Sequence, residues 1–415
     1  MNRTKVRCIM RRFGLCSIPL VLALLLTGCW NRTELNEIGL ISALGIDRSE
    51  EGWIVTYQFI NPSAISAGTG GASKAGGGES PVHVFSSEGP TLREAIDVSY
   101  TESPRRLYFP HADVLVLGKE AARKSITDVI DLYWRNTYLR ENVSVMITEG
   151  QASEMLKQLI PPERLPGTAM AHISRQTDHF NSNFPSIKMY ELTRSLDSES
   201  GAAGVPQIEV VGESQARIES MDQLHKTSTP AKVRITELAV FRKDRSVGTL
   251  TRNESIGISW LTDKIRISAL SITCPGSTKG TEKFSFQTFS AKTKTRVRKE
   301  ADGFTMLVSV KAKGRISESN CPENLANLSN LRAAEKEIEE VIKDYMSKGW
   351  EASKRLQADL PHFADQIHRK YPKEWSKIKD QWEKEGMQST RLVLQVNVTI
   401  GQTGMSQKAF KPDGG

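Results

Sequence analysis

The first apolar stretch of the chain, from Leu15 to Leu26, is too short to cross a membrane as a helix. It holds twelve mostly apolar residues and is interrupted by Pro19, whereas a spanning helix needs about 20. Five basic residues and no acidic residue precede this stretch, since the first carboxylate of the chain is Glu34. This pattern is typical of a secretory signal peptide. Because no later apolar run is long enough to span a bilayer, the rest is expected to fold as water-soluble domains.

The leader ends in Leu26-Thr27-Gly28-Cys29, which resembles a lipobox, the processing signal of bacterial lipoproteins. The resemblance implies that the Cys29 thiol receives a diacylglyceryl group, that residues 1–28 are removed, and that the new amino terminus is acylated. A thiolate is the nucleophile best suited to this transfer. Two acyl chains anchor a protein stably, whereas one chain gives only marginal membrane binding. The alternative is an ordinary signal peptide with a chance cysteine.

Removal of the leader changes the charge of the chain. The full sequence carries 56 basic and 48 acidic residues, and five of the basic residues leave with the leader. The mature chain therefore has 51 basic and 48 acidic residues, a net charge of +3. So small a net positive charge argues against nucleic acid as a partner.

Two cysteines remain after the leader is removed and Cys29 is acylated, namely Cys274 and Cys321. A disulfide between them would stabilise the folded chain by about 4 kcal/mol, because closing the loop lowers the entropy of the unfolded chain. Two separate buried thiols are the favoured prediction, because spacing alone does not bring two cysteines together.

Strand-like and helical stretches are interspersed without a regular βαβ rhythm, which favours the α+β class. The prediction is three consecutive mixed α/β domains, at residues 29–196, 197–265 and 266–402, followed by a tail at 403–415. The second is a small middle domain. In it, strands at Leu238–Phe241 and Val247–Leu250 form a hairpin, and a short helix follows.

In the third domain, two long alternating strands precede a helix that is expected to begin near Leu331 and to end at a C-cap, Gly349. The last strand, "RLVLQVNVTI", alternates apolar and polar residues. It is predicted to be a half-buried edge strand that closes the domain.

Catalytic and metal-binding patterns are absent from the sequence. The seven histidines are scattered, and neither H-E-x-x-H nor Cys-x-x-Cys occurs. No G-x-S-x-G elbow is present. His111 precedes a buried-strand pattern and is interpreted as a packing residue at a strand edge rather than a base. We therefore expect no enzyme activity, no cofactor and no metal.

The residues after the leader resemble the opening of the Ger(x)C family, the lipoprotein C subunits of nutrient germinant receptors in spores. That opening reads Cys-Trp-Asp-x-x-Glu-[IL], followed by an apolar strand that ends in Gly-Ile-Asp. Here Trp30, Glu34 and the run Gly45-Ile46-Asp47 match it. Asn31 replaces the usual aspartate, which is a mild departure because either residue can cap a helix.

Further matches follow in the order that the family has them. "LYFPHADVLVLG" resembles the strand that carries the family's His and Gly, and the Arg-x-x-x-x-Arg block ends at Arg140. A later block resembles Tyr-Pro-x-x-Trp. Its counterparts here are Tyr371, Pro372 and Trp375, and the block begins at Asp359.

The resemblance implies three mixed α/β domains on a lipid anchor at the outer face of the spore inner membrane. It also implies partners, an integral-membrane A subunit and a transporter-like B subunit, and no enzymatic role. The alternative function is a solute-binding lipoprotein of a transporter, which would require a two-lobed, doubly wound fold. A murein-acting lipoprotein enzyme is a third possibility, and no catalytic pattern supports it.

Overall fold

A computed structural model of the chain describes residues 37–66, 79–212, 217–277, 281–301, 303–322, 324–325 and 327–402. The predicted leader, the motif residues Cys29, Trp30 and Glu34, and the predicted tail lie outside the described residues. Lipid attachment at Cys29 therefore stays a prediction.

The fold is α+β, as predicted, with helices and mixed sheets interspersed along the chain. The strands are β1 (Ile38–Arg48), β2 (Trp53–Ile60), β3 (Val82–Gly89), β4 (Arg106–Tyr108), β5 (Val114–Gly118), β6 (Ser144–Thr148), β7 (Ala202–Gly212), β8 (Ala231–Arg242), β9 (Arg245–Leu250), β10 (Ser268–Thr273), β11 (Lys283–Glu300), β12 (Gly303–Ser319) and β13 (Arg391–Gln402). The helices are α1 (Pro62–Ser66), α2 (Leu92–Glu102), α3 (Lys119–Lys124), α4 (Thr127–Arg135), α5 (Ala152–Leu156), α6 (Pro166–Phe180), α7 (Met189–Leu196), α8 (Arg252–Leu261), α9 (Leu328–Arg355), α10 (Phe363–Lys370), α11 (Pro372–Ile378) and α12 (Met387–Ser389). Short 3-10 turns lie at Phe109–His111, Met221–His225 and Lys379–Gln381, and a π-helical turn lies at Trp382–Gly386.

In the described part of the chain, nine strands form one large sheet in the order β3-β2-β1-β5-β6-β7-β8-β9, with β4 also paired to β1. Strands β1, β4, β5 and β6 run parallel, while β2, β3, β8 and β9 pair antiparallel with their neighbours. In β5, Leu115 and Leu117 pack into one core, and Val114 and Val116 pack into another. The parallel centre is therefore covered on both faces, which explains why β5 and β6 are completely buried.

The segment predicted as a small middle domain contributes its strands to this same sheet. Strand β7 pairs with β6 at Ile147 and Gln207 and runs antiparallel to β8. The predicted hairpin is confirmed, because Leu238 pairs with Leu250 across β8 and β9. The domain boundaries themselves stay a prediction.

The second sheet has the order β10-β11-β12-β13, and β13 runs parallel to β12. Val396, Val398 and Ile400 point into the core, as predicted for an edge strand. The backbone N–H groups of Val398 and Ile400 donate to the carboxylates of Glu339 (3.0 Å) and Glu335 (2.9 Å) on α9. These carboxylates satisfy donors that would otherwise be free to pair with another chain.

The predicted C-cap at Gly349 is wrong, because α9 continues to Arg355 and Gly349 lies in its interior. Gly349 lies instead where α9 crosses α8. A methyl group on Gly349 would lie 2.9 Å from the carbonyl carbon of Gly257, and one on Gly257 would overlap the carbonyl oxygen of Tyr345. Glycine is required here because the two helix backbones approach too closely for any side chain.

The favoured prediction of two separate thiols is also wrong, because Cys274 and Cys321 form a disulfide. Thr273 pairs with Lys283, and Phe284 pairs with Ser319, on either side of β11. The two cysteines follow those neighbouring strand ends, and their Cα atoms lie 5.6 Å apart. The β11 strand, which pairs with both partners, brings together residues that are 47 positions apart in sequence.

Candidate functional site

The motif residues matched to the family fall in three places in the described part of the chain. His111 and Arg140 lie at one edge of the large sheet, and Tyr371, Pro372 and Trp375 lie among the C-terminal helices. The third group, Asp47 and Gly118, lies at the opposite edge of the sheet.

The first group lies where β1, β4, β5 and β6 begin. Parallel strands begin at the same edge of a sheet, so the segments that lead into them lie together. His111 ends the turn before β5, and its ring centroid is 5.5 Å from that of Tyr108. Arg140 lies in the loop before β6, two residues after Tyr138, whose ring centroid lies 5.8 Å from the guanidinium carbon of Arg106.

Exposed aromatic side chains are concentrated at this edge. Nine large apolar side chains are exposed among the described residues, and five of them belong to the segments that meet here. We call this group the aromatic edge, and it consists of Tyr100, Tyr108, Trp134, Tyr138 and Tyr190. The backbone N–H of Tyr190 donates a hydrogen bond to Glu141 O (3.0 Å), which holds the start of α7 against the loop before β6. Trp134 Nε1 donates to Thr193 Oγ1 (3.3 Å) and so links α4 to α7.

The opposite edge of the sheet holds Asp47 and Gly118, which lie next to each other. The Asp47 carboxylate is buried and accepts hydrogen bonds from the backbone N–H groups of Ala152 (2.8 Å) and Ser153 (3.0 Å). It therefore caps α5, whose own N-cap residue makes no side-chain cap. Burial raises the pKa of Asp47, and the two backbone N–H groups oppose that rise.

Among the C-terminal helices, Tyr371 is the C-cap residue that follows α10, and Pro372 is the first residue of α11. Proline is tolerated at that position because the N–H of a first helical residue has no partner within the helix. Trp375 packs edge-on against Trp382, with ring centroids 5.6 Å apart. Its indole N–H donates to Glu199 Oε2 at 2.9 Å.

A second buried carboxylate, that of Asp359, organises this region. It accepts from the backbone N–H groups of Phe363 (3.0 Å) and Ala364 (2.6 Å), which start α10. Ser200 Oγ (3.0 Å) and Trp382 Nε1 (3.2 Å) also donate to it. Burial raises the pKa of Asp359, and the two backbone N–H groups act in the opposite direction.

Asp365 lies next to Asp359 and completes the contact with residues 198–200. Its carboxylate accepts from Ser198 Oγ (3.2 Å) and Glu199 N (3.1 Å), and it lies 3.2 Å from His362 Nδ1. It also lies 2.8 Å from Ser200 Oγ, whose single hydroxyl proton it shares with Asp359. Burial opposes ionisation of Asp365, but the hydrogen bonds from His362 and the two serines prevail and lower its pKa to about 2. The two aspartates thus join the C-terminal helices to the segment between α7 and β7.

Two family models match the chain in order along its length. The model described as "Spore germination protein N-terminal domain" matches residues 31–210. The model described as "Spore germination B3/ GerAC like, C-terminal" matches residues 236–404. The chain belongs to the Ger(x)C family of spore germination proteins.

Curated relatives of this Ger(x)C chain come from Bacillus subtilis (strain 168). Spore germination protein KC is 28% identical over 406 residues, covering 97% of this chain and 98% of that protein. Spore germination protein B3 is 25% identical over 375 residues, covering 88% and 92%. Among solved structures, "Crystal Structure of the GerBC protein" covers 86% of this chain and 96% of that chain, with a TM-score of 0.49 and 16% identity.

Two further findings concern the described residues of this Ger(x)C chain. None of their helices is both long and apolar enough to span a membrane. Within the same residues, no group of three or more His, Cys, Asp or Glu side chains is arranged to hold a metal ion.

We expect Gly118→Ala to destabilise the protein by about 1–3 kcal/mol, the range for overpacking a filled site. The added methyl group would overlap Asp47 Oδ1 and displace the carboxylate from the start of α5. Gly150→Ala is the matched control, because nothing lies within 4 Å of the position its methyl group would occupy. Urea unfolding measures both, and equal stability of the two variants would contradict the capping role of Asp47.

We expect Asp365→Asn to lower the free energy of unfolding by about 2 kcal/mol at pH 7. The pKa of Asp365 is lower in the folded chain than its usual 3.8, so its stabilisation is present above pH 3.8 and disappears as the pH falls through about 2. Wild type and variant should therefore converge at the acid end of a pH series of urea unfolding curves. The control is Asp344→Asn, which removes an exposed helical ion pair and should change stability by only a few tenths of a kcal/mol.

Proposed function

We propose that this chain is the lipid-anchored C subunit of a spore nutrient germinant receptor. The observation that carries the proposal is the pair of family matches, which follow each other along most of the chain. In this proposal, acylated Cys29 holds the protein at the outer face of the spore inner membrane. The folded part then contacts an integral-membrane A subunit and a transporter-like B subunit.

The anchor limits how far the fold can lie from the bilayer. Cys29 precedes Glu37, the first described residue, by eight positions, and eight extended residues span at most about 29 Å. Arg106 N donates to Glu37 O (3.0 Å), and β1 begins beside β4. Tyr108 of the aromatic edge lies in β4, so the aromatic edge lies near the point where the tether enters the fold. Confinement of this kind raises the effective concentration of the chain near membrane partners.

The chemistry of the aromatic edge suits contact with a protein. Tyrosine, tryptophan and arginine are the residues most enriched at the energetic centres of protein interfaces. Here Tyr138 lies beside Arg106, and Tyr108 lies beside His111. We propose that this edge contacts the outer loops of the membrane subunits, because the tether would confine the edge close to the bilayer that holds those subunits.

The two most deeply buried aspartates support action by contact rather than by catalysis. The carboxylates of Asp47 and Asp359 are both occupied by donors that start helices, so neither is free to act as an acid or a base. A solute-binding lipoprotein would need two doubly wound lobes. Here the strands instead form one mixed nine-stranded sheet and one four-stranded sheet across the described residues.

We expect Cys29→Ala to leave an uncleaved, unacylated precursor and to impair nutrient-triggered germination, because no sulfur accepts the lipid. Mass spectrometry of the membrane fraction measures processing, and loss of optical density after nutrient addition measures germination. Cys16→Ala, a cysteine within the leader, is the matched control and should be processed normally. A free thiol at Cys29 in the mature wild-type chain would contradict the anchor.

We expect Tyr138→Ala to weaken binding to the membrane subunits by fivefold or more, the loss of about 1 kcal/mol that defines an important interface residue. Co-purification from detergent-extracted membranes and a nutrient dose-response curve measure the effect. Phe180→Ala is the control, because Phe180 is 57% exposed and Tyr138 is 56% exposed, and Phe180 lies at the end of α6 rather than on the aromatic edge. Equal effects of the two substitutions would contradict the assignment of this edge.

A further inference from the structure

One face of the C-terminal sheet is covered by basic side chains. Side chains of β11 and β12 alternate between an inner face, which packs on α9, and an outer face in solvent. Every second residue from Lys292 to Arg298 in β11 and from Lys311 to Arg315 in β12 is an exposed lysine or arginine, seven in all. We call these seven residues the basic face. No outward position between them holds an aspartate or a glutamate.

The fold alone does not account for this arrangement. Lys292 pairs directly opposite Lys311, and like charges in that position destabilise a strand pair. Of the seven residues of the basic face, only Lys292 forms an ion pair with another described residue, namely with Asp263. Arg315 donates to the amide oxygen of Gln287. The other five cations of the basic face have no acidic partner there.

Protection of a sheet edge explains only part of the pattern. Strand β10 pairs with β11 only as far as Thr288, so the cations that follow in β11 lie on a segment without a strand partner on that side among the described residues, where charge discourages aggregation. Strand β12, however, is hydrogen-bonded to β11 on one side and to β13 on the other. Its three cations, from Lys311 to Arg315, protect no edge. Either positive or negative side chains would protect a sheet edge, whereas the basic face contains only positive ones.

We infer that the basic face docks on an anionic lipid bilayer and so sets the orientation of the folded part beside the membrane. The inference rests on the proposed function, which holds the chain at a bilayer through Cys29. The cleaved chain would carry a net charge of only +3, yet this one face carries seven positive charges. The remainder is therefore net negative and would be repelled by the same surface.

The bilayer is favoured as the occupant because it is the extended anionic surface nearest to a tethered chain. Clusters of four to eight lysines and arginines are sufficient to bind anionic lipid, and each cation contributes about fivefold to the binding constant. The basic face lies on an open sheet surface, so its cations can approach a planar layer of headgroups together. A tether of at most about 29 Å leaves the fold free to rotate onto this face.

The test uses the full lipid-anchored chain with one added cysteine. Ser290→Cys places a thiol on the outer face opposite Lys313. Ser347→Cys places one on the exposed side of α9, which covers the inner face. Because Cys274 and Cys321 are bridged, and acylation occupies Cys29 in the proposed mature form, the added thiol is the only one available for a fluorophore.

On vesicles that contain phosphatidylglycerol, the label at Ser290 should be shielded from aqueous iodide and quenched by spin-labelled headgroups, and the label at Ser347 should not. Shielding should be lost on pure phosphatidylcholine vesicles. It should also be lost near 1 M salt, where the screening length falls to about 3 Å.

Charge reversal provides the second arm. Lys311→Glu with Lys313→Glu should lower the ratio of docked to undocked chain at least about 25-fold, because each cation removed costs about fivefold. Lys336→Glu with Lys348→Glu on α9 makes the same change in net charge away from the basic face, and it should leave the ratio unchanged. Circular dichroism and the intact disulfide verify folding of both pairs.

Equal accessibility of the two labels on anionic vesicles would overturn the inference. So would shielding of the label at Ser290 that requires the membrane subunits, since the occupant would then be an acidic protein surface. Flotation with pure phosphatidylcholine vesicles tests the anchor separately, because neutral lipid does not attract the basic face. Failure of the anchor and failure of the docking face therefore give different results.

Discussion

A buried carboxylate must be surrounded by hydrogen-bond donors, and this requirement governs both halves of the protein. Asp47 lies near the end of β1, and its carboxylate accepts hydrogen bonds from the first N–H groups of α5, which is more than a hundred residues later in the sequence. Asp359 meets the first N–H groups of α10 and also binds Ser200 and Trp382. In both cases a helix start supplies donors that would otherwise lack partners. Removing either carboxylate would leave several buried groups unsatisfied at once.

The two sheets are joined by close packing as well as by the Asp359 carboxylate, which binds Ser200. Helix α8 follows the last strand of the large sheet and crosses α9, the long helix of the C-terminal part, where Gly257 and Gly349 let the backbones touch. One apolar core contains Leu238 and Leu250 from the large sheet together with Phe286 and Met346 from the C-terminal part. The surfaces of the two parts are therefore held in a defined relation to each other. The proposed contacts of the aromatic edge and of the basic face require such rigidity, because the two surfaces must keep their relative positions.

How far the sequence predicts this protein depends on whether a feature is local. The hairpin of β8 and β9, the edge strand β13 and the α+β class follow from alternation and turn residues, which act over a few positions, and all three are confirmed. The pairing of Cys274 with Cys321 and the role of Gly349 are not local. Each depends on which strand or helix lies alongside, and the favoured predictions for both were wrong.

The sequence by itself determined the family, through motifs that keep their order along the chain, and it determined the likeness of Cys29 and its flanks to a lipid-attachment signal. Only the tertiary structure decided which residues act together. It brought Asp47 to Gly118, Ser200 to Asp359 and five aromatic side chains to one edge. It also aligned the cations of β11 with those of β12 on one face. The physical reason is that motif order follows the covalent chain, whereas a surface is created by strand order and register, which depend on contacts between distant residues.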